Sequence, residues 1–358
     1  MKFTGKTKKD WRNFAGPGSA APVLKLHKDV ARALQDALEL IIFHVLDPLS
    51  SVSGNLCLAG GVALNCTMTG KMLYRSLFKN IFVQPASGDS GLPLGAALKA
   101  HYISHPHIRE KSLPHVYLGS PSPCEDTCHE VLSTWEHLLD FDHDSDITAT
   151  AARLFSEGNV IGWFQGASEY GPRALGNRSI LADARPEQNK DLINMKIKNR
   201  EGFRPFALSV TEDRAAEFFE FPDVNARYPF MTFILNVQPE FRSRLAAITH
   251  VDGTARIHTV SHDTNPRYFR LLKEFEKLTG FPILLNTSFN NQCEPIVDSP
   301  DQAITCFLTT KLDYLVVGNY LVRKRPNTDD AFRNLYPRLR PFVFLHRAGR
   351  NGSECHEI

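Results

Sequence analysis

Residues 162–183 read GWFQGASEYGPRALGNRSILAD, and residues 194–210 read NMKIKNREGFRPFALSV. The apolar residues 159–164 predict a strand that feeds a loop broken by glycine and proline, a form that phosphate-binding loops commonly take. The two stretches bring six cationic side chains close together in the chain: Arg173, Arg178, Lys196, Lys198, Arg200 and Arg204. Guanidinium groups pair bidentately with phosphate or carboxylate oxygens. The stretch therefore predicts an anion pocket for a small phosphorylated substrate, with a solvated basic surface as the alternative.

The whole chain has 358 residues, a net charge of +2 and seven cysteines. That length exceeds the usual size of a single hydrophobic core, which predicts two domains. The small net charge and the lack of a basic groove interleaved with aromatics argue against a nucleic-acid partner. No apolar run approaches the about 20 residues of a membrane span, and the N-terminus lacks the apolar core of a signal peptide. Together with an odd number of cysteines, these features predict a cytoplasmic protein with reduced thiols and no membrane partner.

Toward the N-terminus, strand, glycine turn and helix follow one another twice. Residues 55–59 predict a strand that leads through Gly60-Gly61 into a helix, and residues 81–84 predict a strand that leads through Gly88 into another. This alternation is typical of α/β architecture, and the later part of the chain predicts an α+β domain. The predicted segments are a lead-in (1–27), a first domain (28–118), a connector (119–148), a second domain (149–325) and a tail (326–358).

The two glycine turns indicate nucleotide binding. The N–H groups of Gly60 and Gly61 precede a helix, where they can face a nucleotide phosphate, although a simple tight turn fits the pair equally well. After Gly88, the carboxylate of Asp89 can bind a divalent metal that bridges phosphates, or it can cap the next helix. Their order along the chain, ahead of a basic pocket, favours nucleotide binding.

Six segments follow one another as they do in the O-carbamoyltransferases, a family that includes the nodulation-factor, cephamycin and tobramycin carbamoylating enzymes. They are LCLAGGVALNC (56–66), FVQPASGDSGLPLGAAL (82–98), GWFQGASEYGPRALGNRSILAD (162–183), NMKIKNREGFRPFALSV (194–210), THVDGTARIHTV (249–260) and LLNTSFNNQCEPIV (284–297). The resemblance covers roughly residues 27–322. On these collinear motifs the chain is identified as a member of that family.

The resemblance implies a partial actin-like ATP-binding domain followed by a YrdC-like domain. In the family, the YrdC-like part converts carbamoyl phosphate and ATP to carbamoyl adenylate. The actin-like part, which also holds a divalent metal such as Fe or Mg, transfers the carbamoyl group to a hydroxyl of a small-molecule acceptor. ATP, carbamoyl phosphate and a metal are therefore the expected ligands.

The family's motifs also carry residue roles onto this sequence. The catalytic residues that grip carbamoyl phosphate are Arg173, Lys198 and Arg204. The other substrate-binding residues are Arg178, Arg256, Asn286 and Ser288, with Arg256 and Asn286 near the adenylate. The nucleotide-binding residues are Gly60, Gly61, Asn65 and Gly88, and the metal ligand is Asp89.

The sequence departs from the family's pattern in two ways. Ala167 stands where the family commonly has arginine, Cys293 where it has glycine, and Thr69 where it often has asparagine. Family chains also begin with a longer N-terminal half, which bears a His-Asp-Ser motif and a His-x3-His metal pair that are absent here, so that Asp89 alone would leave the metal site incomplete. We therefore expect a partner chain that carries the missing half, or a homodimer. The alternatives are an enzyme that works alone and a non-catalytic binder of nucleotide or carbamoyl phosphate.

Overall fold

The computed structural model describes residues 23–108, 113–223, 225–326 and 328. Most of the predicted lead-in and tail lies outside these residues. The chain separates into two compact units. The first contains the described residues up to 57 together with 75–82, and the second contains 58–74 together with the described residues from 83 onward. The five segment boundaries predicted from the sequence stay predictions.

The first unit contains helix α1 (Lys25–Leu46), a 3-10 turn (Asp47–Ser51) and most of two short strands. These strands, β1 (Asn55–Leu58) and β2 (Asn80–Val83), pair with each other in a two-stranded sheet. The aromatic ring of Phe43 on α1 is buried, and the guanidinium of Arg75 stacks 3.8 Å from its centroid. The apolar spacing of residues 27–49 predicted α1 to within a few residues.

The second unit contains the remaining elements. Its helices are α2 (Cys66–Arg75, whose last residue belongs to the first unit), α3 (Leu92–Ser104), α4 (Glu125–Thr134), α5 (Ile147–Ser156), α6 (Gln188–Leu192), α7 (Ala215–Phe218), α8 (Pro266–Thr279) and α9 (Pro300–Thr309). Its strands are β3 (Leu139–His143), β4 (Ile161–Phe164), β5 (Arg178–Asp183), β6 (Ala207–Thr211), β7 (Ile234–Asn236), β8 (Thr254–Arg256), β9 (Thr259–Val260), β10 (Ile283–Ser288), β11 (Tyr314–Val317) and β12 (Tyr320–Lys324). Short 3-10 turns lie at Gly61–Leu64, Asp89–Gly91 and Pro239–Phe241, and a π-helical turn lies at Ile193–Ile197.

Strands β3 to β12 form one ten-stranded mixed sheet. Its order is β3-β12-β11-β4-β5-β10-β6-β8-β7, and β9 also pairs with β6. In the centre, β4 runs parallel to β11 and antiparallel to β5, while β10 is antiparallel to both β5 and β6. A mixed sheet accompanied by helices confirms the predicted α/β class; the assignment of actin-like and YrdC-like domains stays a prediction.

Helices α5 and α8 pack side by side and form the main core with the central strands. Phe155 of α5 meets Phe275 of α8 edge to face, with ring centroids 6.4 Å apart, and Trp163 of β4 belongs to the same buried cluster. Burial of each such aromatic side chain contributes roughly 1.5–3 kcal/mol. At the start of α8, the side chain of Asn265 accepts the N–H of Tyr268 (3.1 Å). This hydrogen bond fixes where the helix begins.

The structure differs from the predicted elements in three places. Strand β3 lies within the predicted connector and pairs with β12, which the sequence did not predict. Strand β5 follows the loop at residues where the sequence predicts no strand. Residues 186–197, which the sequence predicts as one helix, form the short helix α6 and a π-helical turn. Strands β3 and β5 both pair with strands far along the chain.

Candidate anion site

The loop between β4 and β5 is tied together by the carboxylate of Glu169. One of its oxygens accepts the backbone N–H groups of Leu175 (2.7 Å), Asn177 (2.9 Å) and Arg178 (3.3 Å). Gly176 in this loop has φ +99°, and a Cβ there would lie 2.2 Å from the ring of Tyr268. The sequence analysis did not identify Glu169. Its position as an acidic residue inside a basic, glycine-rich loop was the signal that could have identified it.

The tip of this loop packs against the two predicted glycine turns. The hydroxyl of Tyr170 donates to the carbonyl of Ser90, and Nη2 of Arg173 donates to the carbonyl of Leu64 (3.4 Å). The turns in turn contact each other, because the N–H of Gly60 donates to the carbonyl of Ser87 (2.8 Å). The structure therefore brings the predicted nucleotide turns together with the β4–β5 loop, which carries Gly171-Pro172-Arg173, within the second unit.

Arg173 and Arg256 lie close together beside these turns. The Nε of Arg256 donates to Sγ of Cys66 at 3.1 Å. Burial, together with the nearby charge of Arg256, lowers the pKa of Arg173 to about 10. Within the described ranges, neither arginine forms an ion pair with a carboxylate. Two guanidinium groups without a carboxylate leave uncompensated positive charge, which is what an anion site requires.

Arg200 and Arg204 extend this positive cluster. Burial and the neighbouring charges of Arg204 and Arg256 lower the pKa of Arg200 to about 10, although Glu201 opposes the shift. The Arg200 guanidinium stacks 4.7 Å from the ring centroid of Phe206. Arg204 lies at the rim, where its half-exposed side chain pairs with Glu201 at 2.7 Å.

A buried asparagine that the sequence did not identify holds this segment. The Oδ1 of Asn194 accepts from Nε of Arg200 (2.7 Å), and its Nδ2 donates to the carbonyl of Arg204 (3.0 Å). Asn194 stands in the π-helical turn, where the backbone departs from regular α-helix. This turn therefore holds the side chain of Arg200 and the backbone at Arg204, consistent with the frequent occurrence of π turns at functional sites.

Lys198 is buried and is bound to the end of β10. Its Nζ donates to the carbonyls of Ser288 (2.5 Å) and Asn290 (2.7 Å) and to Oδ1 of Asn290 (2.6 Å). The pKa of Lys198 is lowered to about 7, chiefly by burial; Cys306 and Glu294 oppose this shift, and the charge of Arg200 adds to it. Lys198 and Ser288 are thus brought into contact, but an anion would reach the ammonium only by replacing a protein oxygen.

Arg178 and Asn286 lie inside the protein. Arg178 is fully buried, its Nη1 donates to the carbonyls of Gln165 (2.6 Å) and Gly166 (3.0 Å), and burial lowers the pKa of its guanidinium. Asn286 is also buried, and its Nδ2 donates to Oγ of Ser209 (2.9 Å). Neither side chain is accessible to a ligand here, so a direct substrate contact of either stays a prediction.

The buried hydroxyl of Ser209 also contacts His258. The Oγ of Ser209 lies 2.8 Å from Nδ1 of His258. Burial lowers the pKa of His258 to about 3, so the imidazole is neutral at ordinary pH. This polar contact lies within the core and joins β6 to the residues between β8 and β9.

The residues predicted to bind nucleotide and metal take part in turns and in a helix start. Gly60 adopts φ +95°, and Oδ1 of Asn65 accepts the N–H of Met68 (3.1 Å) at the start of α2. Asp89 is exposed and begins the 3-10 turn ahead of α3. Among the described residues, no group of three His, Cys, Asp or Glu side chains could hold a metal ion. A divalent cation needs several ligands, so these residues do not fit a metal and we derive no step through one.

A cavity of about 520 Å³ lies at the base of the loop. Ala167 lines it together with Arg267, whose Nη1 donates to Oε1 of Gln165 (2.6 Å) and whose Nη2 donates to Oδ1 of Asn319 (2.8 Å). Because side chains of the cavity wall already accept hydrogen bonds from the Arg267 guanidinium, this cavity has fewer N–H donors for an anion than the arginine cluster has. Arg173 and Arg256 are therefore the candidate anion site.

Two family models match the chain. The model of the carbamoyltransferase N-terminus matches residues 6–98, and the model of the carbamoyltransferase C-terminus matches residues 152–324. None of the helices within the described residues combines the length and the apolar character needed to cross a membrane.

Curated relatives agree with these matches. Nodulation protein NolO of Bradyrhizobium diazoefficiens is 51% identical over 339 residues, which cover 94% of this chain and 62% of the relative. Nodulation protein NolNO of Sinorhizobium fredii is 50% identical, over 91% of this chain and 48% of the relative. The 3'-hydroxymethylcephem-O-carbamoyltransferase of Streptomyces clavuligerus is 34% identical, over 75% of this chain and 49% of the relative. The chain spans about half to three fifths of the length of these relatives, and it belongs to the carbamoyltransferase family.

Proposed function

We propose that this chain forms carbamoyl adenylate from carbamoyl phosphate and ATP and takes part in transfer of the carbamoyl group to a hydroxyl of a small-molecule acceptor. Membership of the carbamoyltransferase family supports the class of reaction. The observation that carries the proposal is the pair Arg173 and Arg256, which stand close together without a carboxylate between them. Such a pair is suited to oxygens of two phosphate-bearing reactants.

The chemistry places anions that repel one another in a single pocket. Carbamoyl phosphate and water give carbamate and phosphate; a carbamate oxygen then bonds to the α-phosphorus of ATP, and pyrophosphate leaves. The acceptor hydroxyl oxygen next attacks the carbamoyl carbon, loses its proton, and AMP leaves. Clustered guanidiniums act in these steps by holding the reactants together and offsetting charge.

Each residue of the site receives a proposed task. Arg173 and Arg256 hold phosphate oxygens, and Arg204 at the rim guides the anion inward. Lys198 holds the end of β10 through Ser288 and supplies its ammonium when a ligand oxygen replaces a protein oxygen. Arg178 and Asn286 act from within the core by holding the loop and β10.

The glycine turns are the proposed ATP-phosphate site. They lie next to Leu64, whose carbonyl receives Arg173, so a phosphate there would reach this guanidinium. Since the N–H of Gly60 is bound by Ser87, the proposed phosphate donors are the N–H groups of Gly61 and of Gly88. In this assignment residues 28–118 belong to an actin-like domain and residues 149–325 to a YrdC-like domain.

A partner chain that carries the rest of the actin-like domain is also proposed. Support comes from α3, which has no buried side chain and exposes Leu92 (68%) and Ile103 (70%). A second copy of this chain is the alternative occupant. An apolar helix without a covering layer is typical of a surface that meets another element.

One observation favours a second function, a non-catalytic binder of carbamoyl phosphate. The Lys198 ammonium, which has three N–H groups, is already bound by oxygens of Ser288 and Asn290. Catalysis that requires this ammonium would then be weak, while binding through Arg173 and Arg256 would persist.

Calorimetric titration with carbamoyl phosphate tests the site itself. We expect Arg173→Ala and Arg256→Ala each to weaken binding by about 10- to 100-fold, the equivalent of one charge-assisted hydrogen bond of ~1.5–3 kcal/mol. Arg153→Ala is the matched control, because Arg153 is an exposed arginine on α5 whose ion pairing, among the residues the structure describes, is with Glu157. Equal affinity in all four proteins would overturn the proposal.

A further inference from the structure

The thiol of Cys66 is the side-chain partner of Arg256 at the anion site. Cys66 is the first residue of α2 and is buried, and its sulfur accepts from Nε of Arg256 at 3.1 Å. Within the described part of the chain, the side-chain hydrogen bonds of Arg256 are confined to this one contact. The two Nη groups thus keep their donors for a ligand.

A cysteine sulfur is an unusual choice of partner for an arginine. Arginine side chains are more often held by carboxylates, which accept two parallel N–H bonds and cancel the charge. A thiol is a weak acceptor and carries no charge when protonated. Cys66 can therefore orient the guanidinium while leaving its positive charge for an incoming anion.

The need for such an orienting contact follows from the charges around Arg256. The guanidiniums of Arg173 and Arg200 are near enough for their pKa values to be lowered by the charge of Arg256. The same repulsion drives the Arg256 side chain away from the other two. A contact that holds Nε in place opposes this displacement without competing for the anion.

The backbone around Cys66 fixes the sulfur relative to Arg256. Thr69 of α2 donates its hydroxyl to the carbonyl of Thr232 (2.5 Å). The next residue, Gly70, lies so close to Ile234 of β7 that a Cβ added to it would be 2.4 Å from the Ile234 side chain. Ile234 stands directly opposite Arg256 in the pairing of β7 with β8. Helix α2 is thus docked on the strand next to the one that carries the arginine.

We propose that Cys66 is a positioning residue that aims Arg256 at the bound anion without neutralising it. This inference rests on the proposed function, because it takes Arg256 to be an anion-binding group. Residues 64–66 thereby contact both arginines of the candidate site. The carbonyl of Leu64 receives Arg173 while the sulfur of Cys66 receives Arg256.

Three substitutions of Cys66 separate orientation from charge, with the affinity for inorganic phosphate and for carbamoyl phosphate measured by calorimetry. We expect Cys66→Ala to weaken binding about 3- to 10-fold, on the scale of one neutral hydrogen bond. Cys66→Ser keeps a neutral acceptor and should restore most of the affinity. Cys66→Asp should be the most damaging, by about 100-fold, because a carboxylate would pair with Arg256 and cancel its charge.

Cys128→Ala is the matched control, since Cys128 is an equally buried cysteine that lies on α4. It should change thermal stability about as much as Cys66→Ala does and leave the affinity unchanged. If Cys66 had only a structural role, the melting temperature and the affinity of its variants would fall together. The affinities of Cys66→Ser and Cys66→Asp would then not lie above and below that of Cys66→Ala.

Arg256→Ala in the same titration distinguishes the two levels of the proposal. If Arg256→Ala and Arg173→Ala bind as the wild type does, the anion site itself is wrong. If both lose affinity while Cys66→Ala and Cys66→Asp bind normally, only the positioning inference is overturned. In the double variant, Cys66→Asp should have no further effect once Arg256 is alanine; an additive loss would contradict action through Arg256.

Discussion

Arg173 and Arg256 approach each other from the β4–β5 loop and from strand β8, and within the described residues no carboxylate pairs with either of them. The electrostatic cost is visible in the lowered pKa of Arg173, which burial causes and the charge of Arg256 increases. Like charges held together in a folded protein destabilise it unless an opposite charge arrives. An anion bound between the two arginines supplies that charge.

Ligand-induced stabilisation follows from this arrangement. Because an anion relieves the repulsion between Arg173 and Arg256, we expect carbamoyl phosphate at 100 times its dissociation constant to stabilise the protein by about 2.7 kcal/mol. Chemical denaturation with and without the ligand measures the effect. Arg256→Ala should be more stable than the wild type without ligand and should gain much less from it. A gain equal to that of the wild type would contradict the assignment.

The carboxylate of Glu169 should be essential for the loop that carries Arg173. Glu169→Gln replaces the carboxyl group whose oxygen accepts three N–H groups by an amide, so we expect the free energy of unfolding to fall by about 1–3 kcal/mol. Urea denaturation gives this value, with Glu157→Gln, an exposed glutamate on the edge of α5, as control. Indistinguishable stabilities of the two variants would show that the loop does not depend on the carboxylate.

The sequence predicted the elements whose signals are local. The turn at Gly60 was placed correctly, because a Gly-Gly pair between a strand and a helix is a recognisable local pattern, and Gly60 adopts φ +95°. The contact between Arg173 and Leu64, which joins the glycine turns to the β4–β5 loop, was not predicted from the sequence. Their roles in binding nucleotide and carbamoyl phosphate stay predictions.

The remaining features depend on residues far apart in the chain. Cys66 and Arg256 are 190 positions apart, and β3 pairs with a strand that begins at Tyr320. Lys198 reads as a free cation in the sequence, whereas in the fold its ammonium is bound by oxygens at the end of β10. Neither periodicity nor spacing contains such contacts, because tertiary packing determines them.

Acid should destabilise the protein through His258. Its pKa is lowered from 6.5 to about 3 by burial, so below pH 6.5 the unfolded chain takes up a proton that the folded chain refuses. This contribution to stability is present above pH 6.5 and is lost as the pH falls toward 3, by about 2 kcal/mol at pH 5. His258→Asn should show a shallower fall of unfolding free energy between pH 7 and 5. Parallel curves would contradict the prediction.

Lys198 should act in the alkaline range and with the same sign, so that stability again rises with pH. Its pKa is lowered from 10.5 to about 7, so between these values the unfolded chain holds a proton that the folded chain has released. Stability should therefore rise with pH from about 7 toward 10.5 relative to Lys198→Met, which has no titrating group there. Denaturation at pH 7, 8 and 9 measures the difference. A constant difference would mean that the four surrounding oxygens of Ser288 and Asn290 keep the ammonium charged throughout.

The exposed face of α3 should meet the proposed partner. The part of Bradyrhizobium diazoefficiens NolO that has no match in this chain, produced as a separate chain, is the probe. We expect it to co-elute with this chain and expect Ile103→Asp to weaken the association at least about tenfold, since a charge on an apolar contact is strongly unfavourable. Leu278→Asp, which alters an exposed leucine of α8, is the control. Self-association that Ile103→Asp abolishes would instead identify a second copy as the occupant.

Pyrophosphate release from ATP, with and without carbamoyl phosphate, tests adenylate formation by this chain most directly. Since Arg173, Arg256 and Lys198 all lie in this chain, we expect release by the chain alone, dependent on carbamoyl phosphate and accompanied by AMP as the carbamoyl adenylate hydrolyses. Arg173→Ala and Lys198→Ala should reduce it at least about 100-fold, whereas Arg153→Ala should not. Folded protein that binds carbamoyl phosphate but releases no pyrophosphate, or an Arg173→Ala variant as active as the wild type, would contradict the account.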